Sequence, residues 1–240
     1  CKEIMSRFPA DFAPDLYLWV DSGMKEIPPD IESLPCPKAC FLIDTHIAPE
    51  PRMAIAKRFD YTFMAQKAQL EAFRREDVPN VHWLPLACSP KLHDVGPMER
   101  IYDVAYVGGL DGDATDRRRN LLRKVAARFP NCRIERCWPH EMAAIYAQSK
   151  IVVNACVNRD VNMRVFEAMA SGALLITDEA DGLEDIFQDR KHLVMYRDDG
   201  HVLDTIDYYL KHGEGRERIA ASGRKEVLAK HTYAHRLQQI

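Results

Sequence analysis

The chain has 240 residues, 47% hydrophobic and 29% charged, an ordinary globular composition for one large domain or two modest ones. A net charge of -3 excludes a global field that would gather nucleic acid or an anionic membrane. The longest apolar stretches, such as Ala173-Leu174-Leu175-Ile176, fall far short of a membrane span.

From the start, short β-branched or aromatic runs alternate with helical patterns, as in βα units around a parallel sheet. Strands are predicted at 16–20, 40–43, 61–64 and 81–83, and the clearest helix between them at 66–76. Residues 1–15 read as a helix end running straight into the first strand, so one or two βα units of a complete half are expected to be missing or naturally absent. The chain opens on Cys1 rather than Met, as a processed product or a piece of a longer protein would. Residues 88–97 hold two prolines and a glycine without periodicity and read as a linker. The rhythm then restarts, with strands at 104–107, 132–136, 151–154, 173–177 and 193–196. Helices are predicted at 116–128, 141–147, 163–171, 202–210 and 214–229, with a last one from residue 233. The expected fold is α/β, with two Rossmann-like doubly wound parallel-sheet domains, 1–98 (shortened) and 99–240, facing a cleft. Ligands of such sheets bind beyond the carboxyl ends of the strands.

Two turns in the second half invite chemistry. Tyr106-Val-Gly108-Gly109-Leu-Asp-Gly112 follows a predicted strand, and paired glycines let a backbone approach a bulky anion at a helix amino end. Arg117, Arg118 and Arg119 fall in that helix's first turns, where a guanidinium is a bidentate phosphate donor. A plain tight turn beside a solvated basic face satisfies the same residues. The second turn leads from the strand 151–154 into a helix with Asn162 as N-cap and Gly172 at its left-handed end. Val165, Phe166, Met169 and Ala170 form its sheet-facing stripe, while Arg164, Glu167 and Ser171 share a polar face. Glu167 there either accepts two ribose hydroxyls or pairs with Arg164, a surface pair worth about 0.2–0.5 kcal/mol.

The run Asn162-Met-Arg-Val-Phe-Glu-Ala-Met-Ala-Ser-Gly-Ala-Leu-Leu-Ile-Thr-Asp178 resembles the donor-site motif of CgeB-like, spore-maturation-type glycosyltransferases, within the two-Rossmann-domain GT-B group. The likeness extends to 102–109, 149–154, 182–186, 218–228 and 231–236. It implies that Glu167 holds the nucleotide ribose and that basic residues near Gly108 and Gly109, Arg118 among them, neutralise the diphosphate. It also implies that Asn162 and Arg164 face the donor phosphates or sugar, and that no metal or other cofactor is required. Related transferases carry a second glutamate eight positions earlier; here that position is Arg159, which leaves the sugar contact open.

In the first half, Asp44 and His46 follow the strand 40–43, where a base for the acceptor hydroxyl is expected. A polar loop with Asp44 as a cap explains them equally. Asp21 is a weaker candidate of the same kind, and His82 and Trp83 read as structural. Seven cysteines without a CxxC predict reduced thiols, no metal site and a cytoplasmic protein. The sequence therefore predicts transfer of a sugar from a UDP- or GDP-linked donor to a hydroxyl of a glycan, protein or small molecule. The alternatives are a nucleotide-sugar-binding module without activity and a nucleotide-sugar epimerase. No nucleic-acid partner is expected, because basic residues are not interleaved with aromatics.

Overall fold

A computed structural model of the chain describes residues 1–23, 27–110 and 116–240. It divides into two units, Cys1–Pro85 and Leu86–Ile240.

The first unit holds α1 (Lys2–Met5), β1 (Tyr17–Val20), β2 (Lys38–Leu42), α2 (Pro49–Ala56), β3 (Tyr61–Met64), α3 (Leu70–Arg75) and β4 (Val81–Trp83). Its four strands are parallel and lie in consecutive order. Interior strand β2 is apolar after its first residue and buried at the next four, as a strand covered on both faces must be. Cys40, Leu42, Met64 and Phe73 anchor the core. The predicted helix at 66–76 begins as a 3₁₀ turn, Lys67–Gln69, before α3. Trp83 has the structural place expected of it, donating Nε1–H to the Ala65 carbonyl at 3.1 Å.

The second unit begins at Leu86, ahead of the 98/99 boundary read from composition. Residues 88–97 are not a free linker. Cys88 forms a parallel bridge with Thr232, accepting from the Tyr233 amide at 3.1 Å and donating to the His231 carbonyl at 3.0 Å. The one-turn helix α4 (Pro90–His93) follows. Backbone pairing overrode the prolines because neither lies on the bonded residue. Then come β5 (Tyr102–Val107), α5 (Asp116–Arg128), β6 (Cys132–Glu135), α6 (Pro139–Ala147), β7 (Ser149–Asn154), α7 (Met163–Ala170), β8 (Leu174–Asp178), α8 (Leu183–Ile186) and β9 (Val194–Tyr196). Three helices close the unit: α9 (Asp199–Lys211), α10 (Gly213–Lys230) and α11 (Tyr233–Leu237).

All five strands are parallel, in the order β6-β5-β7-β8-β9. The chain starts in β5, steps outward to β6, then returns past β5 to β7, so the order reverses between β5 and β7. Ile151, Val153, Leu174 and Ile176 fill the core beneath α5, α9 and α10. Helix α10 lies against α7 and β8. Its approach depends on Gly223, where a Cβ would stand 2.1 Å from the His192 carbonyl oxygen.

Candidate functional site

A strand-order reversal opens a crevice because the loops leaving the two neighbouring strands turn to opposite faces of the sheet. Here those loops are Gly108-Gly109 after β5 and 155–162 after β7. Most of the site residues predicted in the second half gather at this edge. Residues Asp111 and Gly112 of the glycine turn lie outside the described residues.

Arg164, in the first turn of α7, closes onto the end of β5. Its Nε and Nη2 donate to the Val107 carbonyl at 3.0 and 2.8 Å, its Nη1 to Asn154 Oδ1 at 2.6 Å and its Nη2 to the Tyr106 hydroxyl at 3.2 Å. The guanidinium also stacks on the Tyr106 ring, 4.2 Å from its centroid. Gly108 is glycine for this reason: a Cβ there would come within 2.2 Å of Arg164 Nη2 and 2.9 Å of the Tyr106 hydroxyl. Gly109 has open space around it. The arginines of α5 bend over the same edge. Arg118 donates Nε–H to the Ala155 carbonyl at 2.9 Å and Nη1–H to the Gly109 carbonyl at 3.4 Å. Arg119 reaches the Leu110 carbonyl at 2.6 Å. Arg117 pairs with Asp178 at 2.7 Å, and the other oxygen of Asp178 accepts the Cys156 amide at 2.9 Å. Arg118 and Arg119 thus rim the turn, while Arg117 stays exposed and is tied to Asp178 instead.

Asn154, fully buried at the end of β7, is the hub. Its Nδ2 donates to Thr177 Oγ1 at 3.0 Å, its Oδ1 accepts from Arg164 and from Asn162 Nδ2 at 3.2 Å, and its carbonyl accepts the Tyr196 hydroxyl at 2.9 Å. This fixes both amides. Turning Asn162 over would set its oxygen against Asn154 Oδ1, and turning Asn154 would set its NH₂ against Arg164. Asn162 therefore presents Oδ1 on its other side, where that oxygen is buried with no hydrogen-bond partner. Asn162 holds the N-cap position of α7, but its side chain makes no cap bond, contrary to expectation. Arg159, at the position of the absent second glutamate, has left-handed backbone (φ 59°) and pairs with Asp181 at 3.1 Å.

The polar face predicted for α7 is not a surface face. Residues 165–170 are all buried, since α4, α6 and α10 cover what the sheet does not. Glu167 is only 8% exposed, and burial pushes its carboxyl up to about 7, against the opposing pull of Arg164. The two make no ion pair; Arg164 turns to the strand ends, and Nε2 of His93 lies 3.9 Å from Glu167 Oε1. Ser171 Oγ lies 2.9 Å from the Glu167 carbonyl and 3.1 Å from the His93 carbonyl, sharing its proton between them. His93, Tyr106, Asn154 and Asp178 were missed by sequence reasoning. The alternation at 102–107 could have signalled Tyr106; His93 carried no local signal.

In the first unit, Asp44 and His46 follow β2. Asp44 has left-handed backbone (φ 53°) and its carbonyl accepts the Ile47 amide at 3.0 Å. It caps no helix, because the N-cap of α2 is Ala48. His46 Nδ1 is buried without a partner. Between them Thr45 is locked by Gln66 Oε1, which accepts its amide at 3.2 Å and its hydroxyl at 3.1 Å. Asp21 is committed to Arg52 at 2.8 Å and to the Gly23 amide at 3.0 Å.

A family profile described as "Glycosyl transferase-like" matches residues 103–240. No curated protein matches the chain. Among solved structures, sucrose-phosphate synthase from Thermosynechococcus elongatus is similar at 15% identity and a TM-score of 0.64, over 99% of this chain and 75% of that one. Anabaena Alr3699/HepE in complex with UDP-glucose is similar at 11% identity and a TM-score of 0.66, over 85% of this chain and 71% of the other. TarM of S. aureus is similar at 12% identity and a TM-score of 0.66, over 93% of this chain and 53% of TarM. At such identities the likeness shows fold alone: α/β with two parallel sheets, as in GT-B glycosyltransferases. Among the described residues, no helix is long and apolar enough to cross a membrane.

Proposed function

The chain belongs to the glycosyl transferase-like family, and from that premise we propose that it moves a sugar from a nucleoside-diphosphate sugar, UDP- or GDP-linked, to an acceptor hydroxyl. The CgeB-like branch is part of the proposal and rests on the run 162–178. One observation carries it: at the strand-order reversal, the glycine turn, the amino end of α7 and an oriented, unpartnered Asn162 Oδ1 converge. A buried carbonyl oxygen without a donor costs about 1–3 kcal/mol, and a ligand hydroxyl would relieve it. The amides at the start of α7 and Arg118, whose Nη2 stays outside its described bonds, would meet the diphosphate and stabilise its departure without a metal. Glu167 would accept the ribose hydroxyls. HepE was solved with UDP and with UDP-glucose, which supports the choice of donor class.

On the acceptor side, Asp44 and His46 are proposed to take the hydroxyl proton. Removing His46 should lower turnover while leaving nucleotide affinity intact. The test of the whole proposal is a thermal-shift screen with UDP, GDP and their sugars, followed by calorimetry on Glu167→Ala. A true ligand at 100 times its Kd adds about 2.7 kcal/mol of apparent stability. Silence from every nucleotide, or unchanged affinity in Glu167→Ala, would end it.

A further inference from the structure

Beside the proposed donor site lies a buried histidine to which that site gives no role. His93 is 3% exposed, on the one-turn helix α4, and its imidazole faces the carboxylate of α7. The Ser89 amide donates to its Nδ1 at 3.2 Å. That bond decides the tautomer. With Nδ1 accepting, the neutral ring carries its proton on Nε2, and Nε2 is the nitrogen that lies 3.9 Å from Glu167 Oε1. Gaining a second ring proton would break the Ser89 bond inside an apolar setting, and burial accordingly holds the His93 pKa below its usual value.

We propose that His93 is a positioning residue for Glu167: a neutral imidazole whose Nε2–H favours the ionised carboxylate and aims it to accept a pair of ligand hydroxyls. The inference rests on the ribose role proposed for Glu167. The other charged or titratable groups facing that carboxylate are few. Arg164 on α7 favours the ionised form, but its donors are bound to Val107, Asn154 and Tyr106. Tyr146 on α6, Tyr233 on α11 and Cys88 are all shifted upward by burial, so they stay neutral through the range where Glu167 titrates. Among these described residues, His93 combines an uncommitted proton with the right direction. The contact is longer than a hydrogen bond, and a bound nucleotide that orders the carboxylate would shorten it.

The test uses three full-length variants. His93→Asn keeps an acceptor for the Ser89 amide but has nothing at the Nε2 position; His93→Phe keeps the ring without the proton; His93→Gln returns an N–H close to Nε2. In the ligand-free protein, the ¹³C carboxyl resonance of Glu167, assigned by its loss in Glu167→Gln, is titrated from pH 5 to 9. The midpoint should rise by about one unit in His93→Asn and His93→Phe and return toward wild type in His93→Gln. Calorimetry with UDP and GDP should then show binding weaker by about fivefold at pH 7, by about tenfold at pH 5, and by almost nothing at pH 9, where Glu167 ionises unaided; the full tenfold that one unit represents appears only below both midpoints. An unmoved midpoint overturns the proposal, and so does an affinity loss that is equal at every pH, which would mark a packing role. If the midpoint moves but wild type binds neither nucleotide, the ribose role of Glu167 fails, and the aiming part of the proposal with it. Should His93→Phe not fold, His93→Asn carries the same expectation.

Discussion

Glu167→Gln isolates what it takes to keep a charge inside the second unit. The carboxyl is 8% exposed, and burial lifts its pKa from 4.5 to about 7. A carboxyl raised in this way binds more protons folded than unfolded between those two values, so its contribution to stability falls as pH rises through that window and is flat above it. The gap corresponds to about 3 kcal/mol at one pKa unit per 1.36 kcal/mol. Glutamine copies the protonated shape without the ionisation. We expect wild type and variant to have similar stability at pH 5, and the variant to be more stable at pH 8 by up to about 3 kcal/mol. Urea unfolding followed by circular dichroism at pH 5, 6, 7 and 8 measures this, with hydrogen exchange of α7 amides reporting the second unit specifically. Taking the difference at each pH cancels every other titrating group. A difference that does not change with pH, or a variant less stable at pH 8, would refute the reasoning. The same variant should lose nucleotide binding, so stability and function move in opposite directions.

Other substitutions read other parts of the geometry. Gly108→Ala drives a methyl into Arg164 and Tyr106 and should lower stability by about 1–3 kcal/mol, whereas Gly109→Ala meets open space and should change it by under about 0.5 kcal/mol; paired thermal melts decide. Gly223→Ala would gain about 1 kcal/mol of helix propensity on an exposed helix. Here the His192 carbonyl stands in the way, and the net result should be a loss of about 2–4 kcal/mol on urea unfolding. Arg164→Met strips donors from Val107 and Asn154 and should cost about 2–4 kcal/mol by the same measurement. Arg117→Ala, whose side chain is 53% exposed, should cost under about 1 kcal/mol despite its short ion pair.

Strands and helices of both units were legible because a parallel interior strand writes itself as an unbroken apolar run, as Ile151-Val-Val and Leu174-Leu-Ile do. Four predicted starts or spans, 61–64, 81–83, 116–128 and 233, coincide with β3, β4, α5 and α11. The glycine turn and the 162–172 helix were legible for a local reason as well, since cap residues and left-handed glycines act within a few positions. Burial around α7 was not. Its polar residues at i, i+3 and i+7 form a stripe, and a stripe looks solvated until one knows that α10, some fifty residues later, lies on that helix. The same applies to His93, which gains meaning only from Glu167, and to Asn162, whose side chain was drawn from its cap bond by Asn154. Residues 88–97 misled through composition: prolines signal a break in the helix pattern, but Cys88 still had a backbone donor and acceptor to pair.

The pairing of Cys88 with Thr232 sets a timetable for biosynthesis. The bridge joins residues about 140 positions apart, and Arg236 adds a bond from its Nη2 to the Leu86 carbonyl at 3.2 Å. At roughly 5–20 residues per second, a ribosome would deliver Thr232 about 7–30 s after residues 86–94 were made. Throughout that interval Cys88 has no bridge partner, and Leu86, Ala87 and Cys88, all buried in the finished protein, wait for the residues around Thr232. Chaperone occupancy of this short segment should therefore persist until translation passes Arg236, and a premature stop upstream of residue 231 would release a chain whose second unit never closes.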